Sequence, residues 1–155
     1  MMFVRLALES DIDAVAEMAR LNVEETRPEI GYDDFKCRET FYRYLDTASP
    51  TIFVVEHQRQ AIAFLLADMY EYRASQGIFV TQEVLFVRPE HRGTRAAVLL
   101  MKHFIAWADQ LGARECIGGN DNSFNSERTA RFLEHFGFER VGFAMRRRAT
   151  HGRRQ

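Results

Sequence analysis

Val87-Arg88-Pro89-Glu90-His91-Arg92-Gly93-Thr94-Arg95-Ala96-Ala97 is the stretch on which the fold turns. Before it, IFVTQEVLFV has the β-branched and aromatic composition of a strand. After it, Ala96 to Leu111 repeats apolar residues at a helical period. A strand that passes into a helix through small residues gathers unpaired backbone N–H groups at the positive end of the helix dipole. Such a turn favours a phosphate. Arg92 and Arg95 can add charge-assisted contacts, and Gly93, Thr94, Ala96 and Ala97 leave room for the anion to reach the backbone. An ordinary turn with solvated arginines would have the same local sequence, so the surroundings decide.

Upstream, Phe3 to Leu8 alternates as a first strand. Ser10 is placed to cap a helix with Ile12, Val15, Met18, Ala19 and Val23 at helical spacing. Pro28 and Gly31 break that helix, and Phe35, Phe41, Tyr42 and Leu45 predict a second one ending near Ser49-Pro50. TIFVVEH and AIAFLLADMYEY read as strands joined by the polar turn HQRQ, so with IFVTQEVLFV the chain holds a meander of three antiparallel strands. Downstream, Gly112 closes the long helix, a short strand follows near Glu115 to Gly118, and Glu127 to Phe136 forms a helix ended by Gly137. A last strand is predicted near Arg140 to Arg146. The order βααβββαβαβ predicts an α/β fold with a mixed sheet and helices on its faces.

With 155 residues, 46% of them hydrophobic, the chain has the size of one domain, read as residues 1–146 followed by a basic tail at 147–155. The formal net charge is -1, and 19 of the 21 basic residues are arginine, five of them among the last ten residues. A solvated tail accounts for that cluster, and nothing in its spacing favours a nucleic acid. Cys37 and Cys116 lack the spacing of a zinc site and read as structural thiols, so no metal is expected. The five histidines show no pairing at metal or catalytic spacing, and only His91 falls in the phosphate turn. MMFVRLALES is neither a signal peptide nor a membrane span, which predicts a soluble, cytoplasmic protein with no membrane partner.

The turn resembles the CoA-binding motif of the GNAT superfamily, in which an arginine or glutamine followed by x-x-Gly-x-Gly/Ala comes after a strand ending Val-x-Pro. ERTARFLEHFGF resembles that family's second landmark, a helix closing in Gly-Phe before the final strand. The resemblance spans roughly residues 3–146. It implies a GNAT-like acyl-CoA N-acyltransferase fold, acetyl-CoA as co-substrate, and transfer of the acetyl group to a primary amine of a small molecule, peptide or protein. Arg92 fills the first motif position and Ala97 the last, while Arg95 stands where the family has its middle glycine. Leu133 stands where many relatives place the tyrosine that protonates the departing thiolate.

The resemblance also assigns roles. Gly93, Thr94, Arg95, Ala96 and Ala97 would hold the pyrophosphate together with Arg92. The strand segment Leu85, Phe86 and Val87 would polarise the thioester through the backbone N–H groups of Phe86 and Val87. Glu83 is the candidate general base, with an arginine-paired edge glutamate as the alternative. Asn125 is the candidate to hold the pantetheine arm, and Ser126 is placed to cap the following helix. Glu24, Glu25, Glu29, Asp33 and Asp34 either favour a cationic acceptor or form a solvated helix face. The substituted glycine and missing tyrosine leave open a non-catalytic acyl-CoA-binding or scaffolding protein. Homodimers are common in the family, and Phe64, Tyr70, Tyr72, Phe79, Trp107 and Phe143 include rings that could serve a partner surface.

Overall fold

A computed structural model describes residues 1–119 and 122–149. The chain divides into two compact units, 1–118 and 119–155.

The first unit is a five-stranded sheet in sequential order: β1 (Met2–Leu6), β2 (Thr51–His57), β3 (Gln60–Glu71), β4 (Ile78–Val87) and β5 (Cys116–Ile117). Pairing is antiparallel from β1 to β4 and parallel between β4 and β5, so the sheet is mixed as the sequence predicts. The β2–β3 turn is tight because Gln58 and Arg59 both take positive φ, at 51° and 65°. Two helices, α1 (Ile12–Thr26) and α2 (Asp34–Thr47), connect β1 to β2. Their apolar stripes, with Val15, Met18, Phe41 and Tyr44, pack with Ile52, Val54, Phe64 and Phe86 into one core. The long helix α3 (Ala96–Leu111) lies against the strands, burying Leu100, Met101 and Phe104, and its Trp107 meets Phe53 at 5.7 Å between ring centroids. Burying side chains of this size contributes about 1.5–3 kcal/mol each. Gly112 ends α3 at φ 70°.

The first helix does not begin at Ser10. A 3-10 turn spans Glu9–Asp11, and α1 starts at Ile12. Asp11 holds the N-cap position of α1 without a side-chain bond to that helix, and its carboxylate instead ties the 3-10 turn to β1. It accepts from the Leu8 N–H at 2.7 Å and receives the Arg5 guanidinium in two bonds, at 2.7 and 3.0 Å. Burial alone would push the Asp11 carboxyl up, but the Arg5 and Leu8 hydrogen bonds and the Arg5 charge hold it below the usual carboxylate range.

The second unit contains α4 (Ser126–Glu134), after which Gly137 takes φ 88°. Arg140 bridges Glu127 and Glu134, at 2.8 and 3.3 Å. The final strand expected near Arg140 to Arg146 does not form: residues 138–149 have neither helix nor strand. The alternation is present, but a strand exists only where a neighbouring strand takes its hydrogen bonds. Of the tail, residues 150–155 lie outside the described residues.

Candidate functional site

The phosphate turn has the backbone a bound anion needs. Among the described residues, the N–H groups of Gly93, Thr94, Arg95, Ala97 and Val98 donate to no protein acceptor, while Ala96 N–H reaches the Thr94 hydroxyl at 3.3 Å. Gly93 sits at φ 81° with nothing within 4 Å of where a Cβ would be, so this face of the turn is open.

The three arginines of the turn are not equivalent. Arg92 donates two parallel bonds to Glu25 of α1, both 2.8 Å, and its Nε–H reaches the Val87 carbonyl at 3.0 Å. Its guanidinium also lies over the Phe86 ring at 5.3 Å. Three of its five N–H groups are therefore spent on holding the turn to α1 and β4. Arg88 is likewise engaged by Glu17 and the Ala61 carbonyl. Arg95 is exposed and has no partner among the described residues.

Along β4, the hydrogen-bond environment changes at one point. Val80 and Thr81 pair with β5 on one side and with β3 on the other; beyond Thr81 only β3 pairs with the strand among the described residues. At this point Leu66 opposes Val84 and Ala67 opposes Gln82, which leaves Glu83 as an extra residue: a β-bulge. Past the bulge, Arg88 N–H donates to Ile62 of β3, so strand alternation turns the Phe86 backbone toward β3 as well. The backbone groups of Leu85 and Val87 point the other way, to the side β5 leaves open.

The bulge also places side chains. Glu83 is exposed and accepts a hydrogen bond from the Thr81 hydroxyl at 2.5 Å, and no arginine among the described residues pairs with it. Asp68 of β3 sits directly opposite Thr81, and Tyr70 opposite Phe79, with their rings stacked at 5.5 Å. Burial, together with the nearby Glu83 charge, pushes the Asp68 carboxyl above its ordinary range, against the opposing pull of Arg43. Asp68, with burial and Glu83 adding, raises the Tyr70 phenol. Asp68 and Tyr70 were missed in the sequence, although an acid inside the apolar run AIAFLLADMYEY was the available signal.

The acids at the α1–α2 junction are committed elsewhere. Glu24 pairs with Arg20, Glu25 with Arg92, Glu29 with Arg27, and Asp34 with Arg38, while Asp33 caps α2 through the Lys36 N–H. In the second unit, Asn125 precedes α4 in the left-handed region at φ 51° with no side-chain cap bond, and Leu133 is 5% exposed. The described residues contain no group of three or more His, Cys, Asp or Glu able to hold a metal ion. No helix among them is long and apolar enough to cross a membrane.

Residues 48–140 match the family model described as "Acetyltransferase (GNAT) domain". No curated protein sequence matches the chain. Among solved structures, it is similar to a transcriptional regulator from Bacillus halodurans C-125, with TM-score 0.81, 16% identity, and coverage of 96% of this chain and 100% of that one. It is also similar to aminoglycoside N-acetyltransferase AAC(6')-Iy in complex with CoA, with TM-score 0.77, 20% identity, and coverage of 97% and 95%. A predicted acetyltransferase with acetyl-CoA from Clostridium acetobutylicum gives TM-score 0.77 and 16% identity, covering 96% of each chain.

Proposed function

Since the chain belongs to the GNAT acetyltransferase family and is an acyltransferase that uses acetyl-CoA, we propose that it transfers the acetyl group to a primary amine by direct attack in a ternary complex. The observation that supports this is the change in β4: within a few residues the strand offers a carboxylate at the bulge, an open backbone edge, and then the turn of unpaired N–H groups.

In this reading the turn holds the pyrophosphate through its backbone, with Arg95 supplying the charge contact and Arg92 keeping the turn in place. Glu83 takes a proton from the acceptor ammonium, freeing the nitrogen lone pair for attack on the thioester carbonyl. The N–H groups of Leu85 and Val87 stabilise the oxygen as it gains charge. The nitrogen, cationic after the attack, gives its second proton to water as the C–S bond breaks and the carbonyl reforms. Leu133 has no proton to give, so the sulfur leaves as thiolate and is protonated by water, an acceptable route for a thiol with a pKa of ~8.5. Asp68 and Glu83 on one side of β3 and β4 favour a cationic acceptor, a role that the partnered acids of the α1–α2 junction are less free to take.

Calorimetric titration with CoA and acetyl-CoA, for wild type and Arg95→Ala, tests the cofactor half, and thiol release across a set of amines tests the transfer. Binding that weakens in the variant, with thiol release for at least one amine, is the expected result. Binding without release for any amine would favour a non-catalytic acyl-CoA-binding protein, and no binding would overturn the reading altogether.

A further inference from the structure

The fold brings together two histidines that the sequence keeps far apart. His57 is the last residue of β2, and His91 closes the 3-10 turn Pro89–His91 that leads into the phosphate turn. They meet because β3 begins beside Arg88, whose N–H donates to the Ile62 carbonyl at 2.9 Å and whose Nε–H donates to the Ala61 carbonyl at 3.2 Å. β3 is also the hairpin partner of β2, with His57 opposite Gln60. The imidazole centroids lie 5.8 Å apart at an interplanar angle of 77°, and both residues are half-buried.

A transition-metal ion about 2.0–2.1 Å from a ring nitrogen is roughly 3.2 Å from the ring centre, so two imidazoles sharing one ion have centres about 5–6 Å apart. The pair stands at that separation. The ring torsion of histidine is broad, so the two rings can turn a nitrogen toward a common point with the backbone fixed. His57 also has its other nitrogen engaged, because Nδ1 lies 3.4 Å from the Met1 carbonyl oxygen. A proton held there leaves the Nε2 lone pair for a metal, the usual arrangement of a histidine ligand.

We propose that His57 and His91 form a two-histidine site for a borderline divalent ion, Zn2+ or Cu2+, with water completing the coordination. Imidazole suits these ions, whereas Mg2+ and Ca2+ take oxygen ligands. With two protein ligands instead of the four of a closed structural centre, the site loads and empties with the metal supply. An ion held there ties the β2–β3 hairpin to the turn of unpaired N–H groups, since the His91 carbonyl accepts the Thr94 hydroxyl at 2.6 Å. The inference does not depend on the acyl-transfer reading.

The test titrates the full chain, free of any affinity tag, with Zn2+, Cu2+ and Mg2+ by calorimetry. Wild type is expected to bind one equivalent of Zn2+ or Cu2+, copper more tightly, and no Mg2+. The electron paramagnetic resonance spectrum of the Cu2+-loaded protein should show nitrogen splitting from two imidazoles. His57→Ala and His91→Ala should each weaken Zn2+ binding about 10²-fold and remove the two-imidazole spectrum, while His103→Ala on α3 should change neither. Equal affinity in wild type and both single variants would overturn the proposal, as would loss in only one of the two, because a shared ion needs both rings. No binding by wild type, or Mg2+ binding as tightly as Zn2+, would overturn it as well. If His91→Ala fails to fold, the wild-type spectrum and its loss in His57→Ala decide.

Discussion

The two halves of β4 differ in what their backbones are free to do. From Ile78 to Thr81 the strand is hydrogen-bonded on both sides, by β3 and by the β5 segment. From Leu85 to Val87 it has a strand partner on one side only among the described residues. The closed half needs its side chains to fit and nothing more; Val80, fully buried, is an example. The open half keeps N–H groups available. The ladder between β4 and β5 ends early, and the bulge at Glu83 lies just past its end.

The comparison can be pressed from either side. In the open half, Glu83→Gln should reduce kcat by about 10²-fold or more while leaving the affinity for acetyl-CoA unchanged, measured by steady-state kinetics and calorimetry. An unaffected kcat would remove the bulge from the chemistry. In the closed half, Val80→Ala should cost about 2 kcal/mol in urea unfolding through lost packing, with kcat unchanged below the transition. At the end of the open half, Arg95→Ala should weaken CoA binding about tenfold, roughly 1.4 kcal/mol.

The smallest effect lies at the boundary. Because burial and Glu83 raise the Asp68 carboxyl in the folded state, its contribution to stability is fully present below its unfolded pKa and is lost as pH rises through the folded one. Asp68→Asn should therefore raise the Tm by about 2 °C at pH 8, with the gain closing as pH falls toward ~4. A thermal-melt series over pH reads this directly, and a gain that persists in acid would show another cause.

Local patterns were legible in the sequence, and pairings between distant segments were not. The alternation in IFVTQEVLFV, the helical period after Ala96, and Gly112 and Gly137 as stops are all local and gave the element order as far as α4. The bulge at Glu83 depends on how β4 registers against β3, and a one-residue offset leaves no mark in either strand alone. The role of Arg92 was readable only as an arginine near phosphate, because Glu25 lies 67 residues away. The same holds for Asp11, whose tie to Arg5 in β1 joins segments that no local pattern connects. At residues 140–146 the alternation led to a strand that does not form, because a pattern cannot supply the neighbour that makes it a strand.

The Arg92–Glu25 fork also has a consequence for descent. A guanidinium that loses its carboxylate releases the turn from α1, and a carboxylate that loses its guanidinium is left beside an aromatic ring's cation site with nothing to neutralise it. Neither change is easily tolerated alone. Lineages of this protein should therefore replace positions 25 and 92 together, and an alignment of its descendants would carry the contact as a correlated pair.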